Sequence, residues 1–278
     1  MSDEQSKLVD FVRSINTMPN VYQSIMDNFA QMADRIRESQ LAALRMADYF
    51  ANFNKVINSL VPDISKITDF VSNIQKFHEI EKKALIESGW FICPSIGPLP
   101  YHYISKAVVQ YNNGRKDSIT VLMKSLYGDK NWKYLEETVN GWNSHKFFTK
   151  QRVKIVKDAL SAHKNGQYTL SIPALLPIVE GICGDFCKTQ KVAVGKSAST
   201  QKAKTVLNKL KSNGEEYVSE LVLEFIEKQL YVFSGSLKGS KNKKFLNRHG
   251  ILHGSYSGYA DCARSLRCFL LLDVLTLL

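Results

Sequence analysis

Acidic residues are in deficit in this 278-residue chain: 26 Asp and Glu stand against 37 Lys and Arg, for a formal charge of +11. That imbalance favours polyanionic partners, with nucleic acid ahead of an anionic membrane surface; ordinary solubilising charge is the bland alternative. Cysteine is sparse, with five residues, an odd number. Cys183 and Cys187 are four apart and Cys262 and Cys268 six apart, which fits neither a disulfide framework nor the paired short spacers of a structural zinc site. The thiols are expected as small buried hydrophobes in a reducing cytoplasm. No apolar run approaches the roughly 20 residues of a bilayer span. The opening MSDEQSKLVDF carries acids where a secretory signal carries bases, so a cytoplasmic location is expected. Strand-like alternation and internal repeats are also missing, which leaves an all-α architecture. With 44% hydrophobic residues, the chain has ample material for a core.

Helical periodicity runs through Ile25, Phe29, Met32 and Ile36 and resumes from Met46 to Leu60. Pro62 and Asp63 break it, and Ile64, Ile67, Val71, Ile74 and Phe77 mark the next helix. Residues 1–88 are therefore expected to form a long antiparallel helical hairpin. The Gly- and Pro-rich stretch Gly89–Pro100 reads as a linker whose Trp90 and Phe91 pack onto the next domain, opening a connecting region over 89–149. Breaks fall near Asn112–Gly114 and Tyr127–Asn131, and the stripe Trp132, Leu135, Val139 and Trp142 is expected in the core rather than as a base-stacking face. Residues 150–278 form the third segment. Its helices are expected at Lys150–His163, at Ala174–Cys187 after Pro173, and around Val218 to Leu230, with a final core helix over Cys268–Leu278. Glu180 sits within the apolar second of these, which is costly unless the carboxylate has a partner. Lys188–Lys211, with seven lysines and no acid, and Ser234–Ser240 read as flexible basic loops.

Chemistry concentrates in Asn247-Arg-His-Gly-Ile-Leu-His-Gly254, preceded by Lys238, Lys241, Lys243 and Lys244. Arginine offers a fixed cationic fork for phosphate, and histidine gives or takes a proton near neutral pH. Together they are a minimal, metal-independent kit for cleaving RNA through attack by the neighbouring 2′-hydroxyl. Residues five apart lie about 140° apart around an ideal helix, so Arg248 and His253 converge only if Arg248 stands at the helix entrance and curls toward His253. His249 and His253 share a face. Two readings are open for the pair: both address substrate, or both begin a metal site.

The arginine, the polar residue after it, the histidine at the end of an Arg-x4-His spacing and the Leu-rich segment beyond resemble the ribonuclease motif of the HEPN superfamily. The likeness covers roughly Lys150 to Leu278. It implies a HEPN-like helical bundle that forms a homodimer with two motifs facing one cleft, and an endoribonuclease of toxin, abortive-infection or antiphage-defence type that uses no cofactor. By this likeness Arg248 binds the scissile phosphate, His253 is the general acid or base, His249 positions substrate or a catalytic group, and Glu180 orients Arg248. The lysine-rich segments would guide the RNA, and the N-terminal helices would meet an antitoxin or sensor. Two rivals stand beside it: an inactive HEPN-like RNA-binding or dimerisation module, and a metal-dependent hydrolase built on His249, His253 and Glu180.

Overall fold

The computed structural model of the chain describes residues 64–96, 101–192, 199–231 and 246–278. The helices expected between Ile25 and Leu60, the Ser234–Ser240 loop and Lys238, Lys241, Lys243 and Lys244 lie outside those residues. Among the described residues the protein is all-α, with nine helices and no strand. They are α1 (Ile64–Ser88), α2 (Tyr101–Asn112), α3 (Ser118–Gly141), α4 (Lys150–Lys164), α5 (Tyr168–Thr189), α6 (Ser199–Ser212), α7 (Glu216–Phe225), α8 (Arg248–Leu252) and α9 (Cys262–Val274).

Two helices form the centre. In α9 every residue from Arg264 to Val274 is buried, as expected of a core helix. Helix α5 packs against α4, α6 and α9, with the short α8 at its side. By length and composition α5 is apolar enough to cross a membrane, contrary to the expectation that no segment reaches that size. Glu180 and Asp185 break its sequence into shorter apolar runs, and its apolar residues from Ile172 to Cys187 face the protein core.

Helix α5 also begins earlier than expected, at Tyr168, and carries Pro173 and Pro177 inside it. A helical proline leaves the carbonyl four residues back without its N–H donor. For Pro173 that carbonyl belongs to Thr169, and the Tyr259 hydroxyl donates to it at 3.3 Å. Tertiary structure thus supplies the bond that the sequence removes.

Helix α4 matches the expected span: Thr149 caps it by accepting from the Arg152 N–H, and it closes at Asn165 before Gly166, whose φ is +71°. Helix α3 contains the expected break, since Asp129 to Trp132 leave helical geometry. Beyond it Leu135, Val139 and Trp142 are buried, and Trp132 packs edge-on against His163 with ring centroids 4.2 Å apart. The non-helical stretch after Gly89 lies in the interior. Trp90 and Phe91 are buried, the Arg267 guanidinium stacks over Trp90 and donates to the Ser88 carbonyl, and Asp273 accepts from the Ser95 N–H and the Trp142 indole.

The basic segment Lys188–Lys211 is corrected from Ser199 onward: that part is helix α6, not loop. Ala203, Val206, Leu207 and Leu210 recur at helical spacing and are buried. Lys204 pairs with Glu227 and Lys211 with Glu216, so part of the positive charge is neutralised within the fold.

Candidate active site

Helix α8 presents the motif. Leu246 and Ile251 are buried and hold it to the core, while the Asn247 side chain caps it by accepting from the Gly250 N–H at 3.0 Å. Arg248 therefore stands at the helix entrance, as its spacing from His253 requires. Its side chain, however, runs to α5. Nη2 donates to Glu180 Oε2 at 2.6 Å, and Nε lies 2.6 Å from Oε1 in an ion-pair contact away from the hydrogen-bond direction. Each side chain is only about a fifth exposed, at 23% and 21%. The carboxylate in the apolar helix, costly on its own, has its cation.

Burial, followed by the Glu180 charge, raises the hydroxyl pKa of Tyr231, which ends the π-turn Ile226–Leu230. The Cys183 thiol, one turn along α5 from Glu180, is pushed up to about 12 by burial and is inert there. Tyr231 has no signal in the sequence: it comes after an amphipathic helix and belongs to no motif.

The histidines face the other way. His249 and His253 are exposed and lie side by side on α8, with ring centroids 4.3 Å apart. No hydrogen bond or ion pair joins Arg248 to His253 within this chain. The site therefore comprises an arginine anchored by Glu180, whose Nη1 makes no hydrogen bond to another described residue, and an exposed imidazole pair that begins at the next residue. Among the described residues no three His, Cys, Asp or Glu side chains converge as metal ligands, and Glu180 is turned toward Arg248 rather than the histidines.

A second histidine cluster escapes sequence reasoning because its members are far apart in the chain. His163 Nδ1 lies 2.7 Å from the Ser265 hydroxyl, which lies 2.7 Å from the Ser171 hydroxyl. A histidine bonded to serine resembles an activated nucleophile, but all three residues are fully buried and out of substrate reach. They tie α4, α5 and α9 together, and burial lowers the His163 pKa to about 4. A polar cleft of about 410 Å³ between α3 and α4, lined by Asn131, Lys157 and Asn165 among others, contains no motif residue.

Comparison with protein-family models, curated proteins and solved structures finds no match to this chain.

Proposed function

We propose that the protein is a cytoplasmic, metal-independent endoribonuclease of the HEPN-like type, acting as a toxin or antiphage-defence effector. The observation that carries this reading is the Glu180-anchored Arg248 set beside the exposed His249–His253 pair. Glu180 occupies the Nε side of the guanidinium, so the Nη1 side is left for a phosphate oxygen. His253 transfers a proton at the 2′-hydroxyl or at the leaving 5′-oxygen. The 2′-oxygen–phosphorus bond forms as the phosphorus–5′-oxygen bond breaks, leaving a 2′,3′-cyclic phosphate and a 5′-hydroxyl. Arg248 stabilises the charge that builds on the phosphoryl oxygens.

Because Arg248 and His253 diverge within one chain, the reading calls for a homodimer in which a second copy of the motif completes the cleft. The lysine-rich segments Lys188–Lys211 and Lys238–Lys244 guide the RNA backbone, and the N-terminal helices receive an antitoxin or sensor. The same divergence is what favours the alternative, an inactive HEPN-like RNA-binding or dimerisation module.

Purified protein incubated with single-stranded RNA and excess chelator tests the choice. Cleavage leaving cyclic-phosphate and 5′-hydroxyl ends, abolished by Arg248→Ala in a folded protein, is expected. Tight binding without cleavage would favour the module, and cleavage that disappears only on chelation would favour a metal-dependent hydrolase.

A further inference from the structure

We infer that His249 and His253 form a regulatory Zn²⁺ site: the two imidazoles of one chain hold the ion between them, and the bound ion switches the proposed active site off. The inference rests on the ribonuclease reading for what is inhibited, and it adds how that site is regulated; the metal binding itself stands on the histidine pair alone. The two residues are four apart, which sets them one above the other on a helix face. Their register is fixed by the backbone. The Asn247 side chain caps α8, the His253 N–H donates to the His249 carbonyl at 3.0 Å, and Gly250 and Ile251 between them are buried, while both histidines are exposed.

Neither ring is committed elsewhere: among the described residues no hydrogen bond or ion pair uses a ring nitrogen of His249 or His253. The ring centroids are 4.3 Å apart and the planes 51° from parallel. A tetrahedral Zn²⁺ with Zn–N bonds of about 2.0–2.1 Å needs its two nitrogens roughly 3.4 Å apart. Exposed rings this close reach that separation by turning about their own side-chain bonds, with no hydrogen bond to break. Imidazole suits Zn²⁺ as a ligand, and two on one helical turn bind it as a chelate. The adjacent Arg248 charge opposes a second cation only weakly, since Glu180 answers it at 2.6 Å.

The donor set also decides the strength. Among the described residues no third His, Cys, Asp or Glu joins the pair, so water completes the coordination shell. Neither imidazole has a carboxylate or carbonyl hydrogen-bonded behind it, and such outer partners are worth about 10–100-fold in affinity. Binding is therefore reversible and micromolar, which suits a regulator better than a resident cofactor. While Zn²⁺ is bound, the His253 lone pair that would take up a proton is engaged with the metal. His253 is then withdrawn from proton transfer with the fold unchanged.

The test measures the Zn²⁺ affinity of the purified full chain by competition with a chromophoric chelator, and the RNA cleavage rate across the same range of Zn²⁺. His249→Ala and His253→Ala are expected to weaken Zn²⁺ binding at least about tenfold, while His249→Cys, which keeps a ligand at that position, stays within about threefold. Thermal melts check that each variant is folded. Wild-type cleavage should fall at least about tenfold in saturating Zn²⁺, return on chelation, and be halved at a concentration that matches the dissociation constant. Unchanged affinity in both alanine variants would overturn the site. Zn²⁺ that binds through the pair yet leaves cleavage unchanged, raises it, or lowers it only far from the dissociation constant would overturn the inhibition. Failure of the ribonuclease reading is distinguishable: RNA would stay intact in chelator as well, while Zn²⁺ affinity still depended on both histidines, which upholds the site and removes the inhibition.

Discussion

At the residue scale the account turns on which charges and cavities each side chain answers. Glu180→Ala would strand the Arg248 guanidinium in a mostly buried site, and a loss of about 1–3 kcal/mol is expected, reduced from the fully buried case by the residual exposure of both groups. Urea titration of the variant checks it; unchanged stability would make the pair incidental. Gly250→Ala forces a methyl group against Tyr256 and should cost about 1–3 kcal/mol, read the same way. Burial keeps His163 neutral down to about pH 4 in the fold, while in the unfolded chain the imidazole takes its proton near 6.5. The unfolded state therefore binds more protons as pH falls, and stability drops by about 3 kcal/mol between pH 6.5 and 4. Asp273, raised by burial, has the opposite sign: its contribution is fully present below the unfolded carboxylate range and is lost as pH rises from there through the raised folded-state value. Chemical denaturation across that window should show a flatter profile for His163→Asn than for the wild type; identical slopes would remove His163 from the explanation.

At the element scale α6 gives the sharpest contrast between a solvated basic loop and a packed helix. Leu210→Ala should cost about 2–5 kcal/mol because Leu210 is fully buried, while Lys209→Ala, one residue away and exposed, should stay within about 0.5 kcal/mol. Thermal melts of the two variants decide it, since a loop would tolerate both. This element also marks where sequence reading falls short. Its apolar positions are in helical phase, but seven lysines without an acid in Lys188–Lys211 outweigh them, because the acids that neutralise Lys204 and Lys211 come from the next helix and the turn after it. The start of α5 is hidden for a related reason: the donor that satisfies Thr169 arrives from Tyr259, about ninety residues later. By contrast α4, the break in α3 and the core character of α9 are legible, since their caps and apolar phase are local. The site divides similarly. A lone carboxylate in an apolar helix announces that Glu180 needs a partner, and Arg248 at the helix entrance is its nearest motif cation. The direction of the Arg248 side chain, the Glu180 charge felt at Tyr231 and the Ser171–Ser265–His163 chain depend on long-range packing and carry no local signature.

At the scale of the whole molecule, a formal charge of +11 and the proposed cleft completed by a second copy make two joint demands. RNA affinity should fall steeply with salt as phosphate contacts release counterions, and a flat response would remove the lysine-rich segments from the binding surface. Sedimentation should show a dimer, with specific activity declining on dilution below its dissociation. The central claim is that His253 and Arg248 form one catalytic centre, and the single-turnover cleavage rate of His253→Ala in chelator tests it most directly. A loss of at least about a hundredfold, with the thermal midpoint unchanged, is expected for removal of a general acid or base from the exposed end of α8. Cleavage by His253→Ala at the wild-type rate would contradict the account.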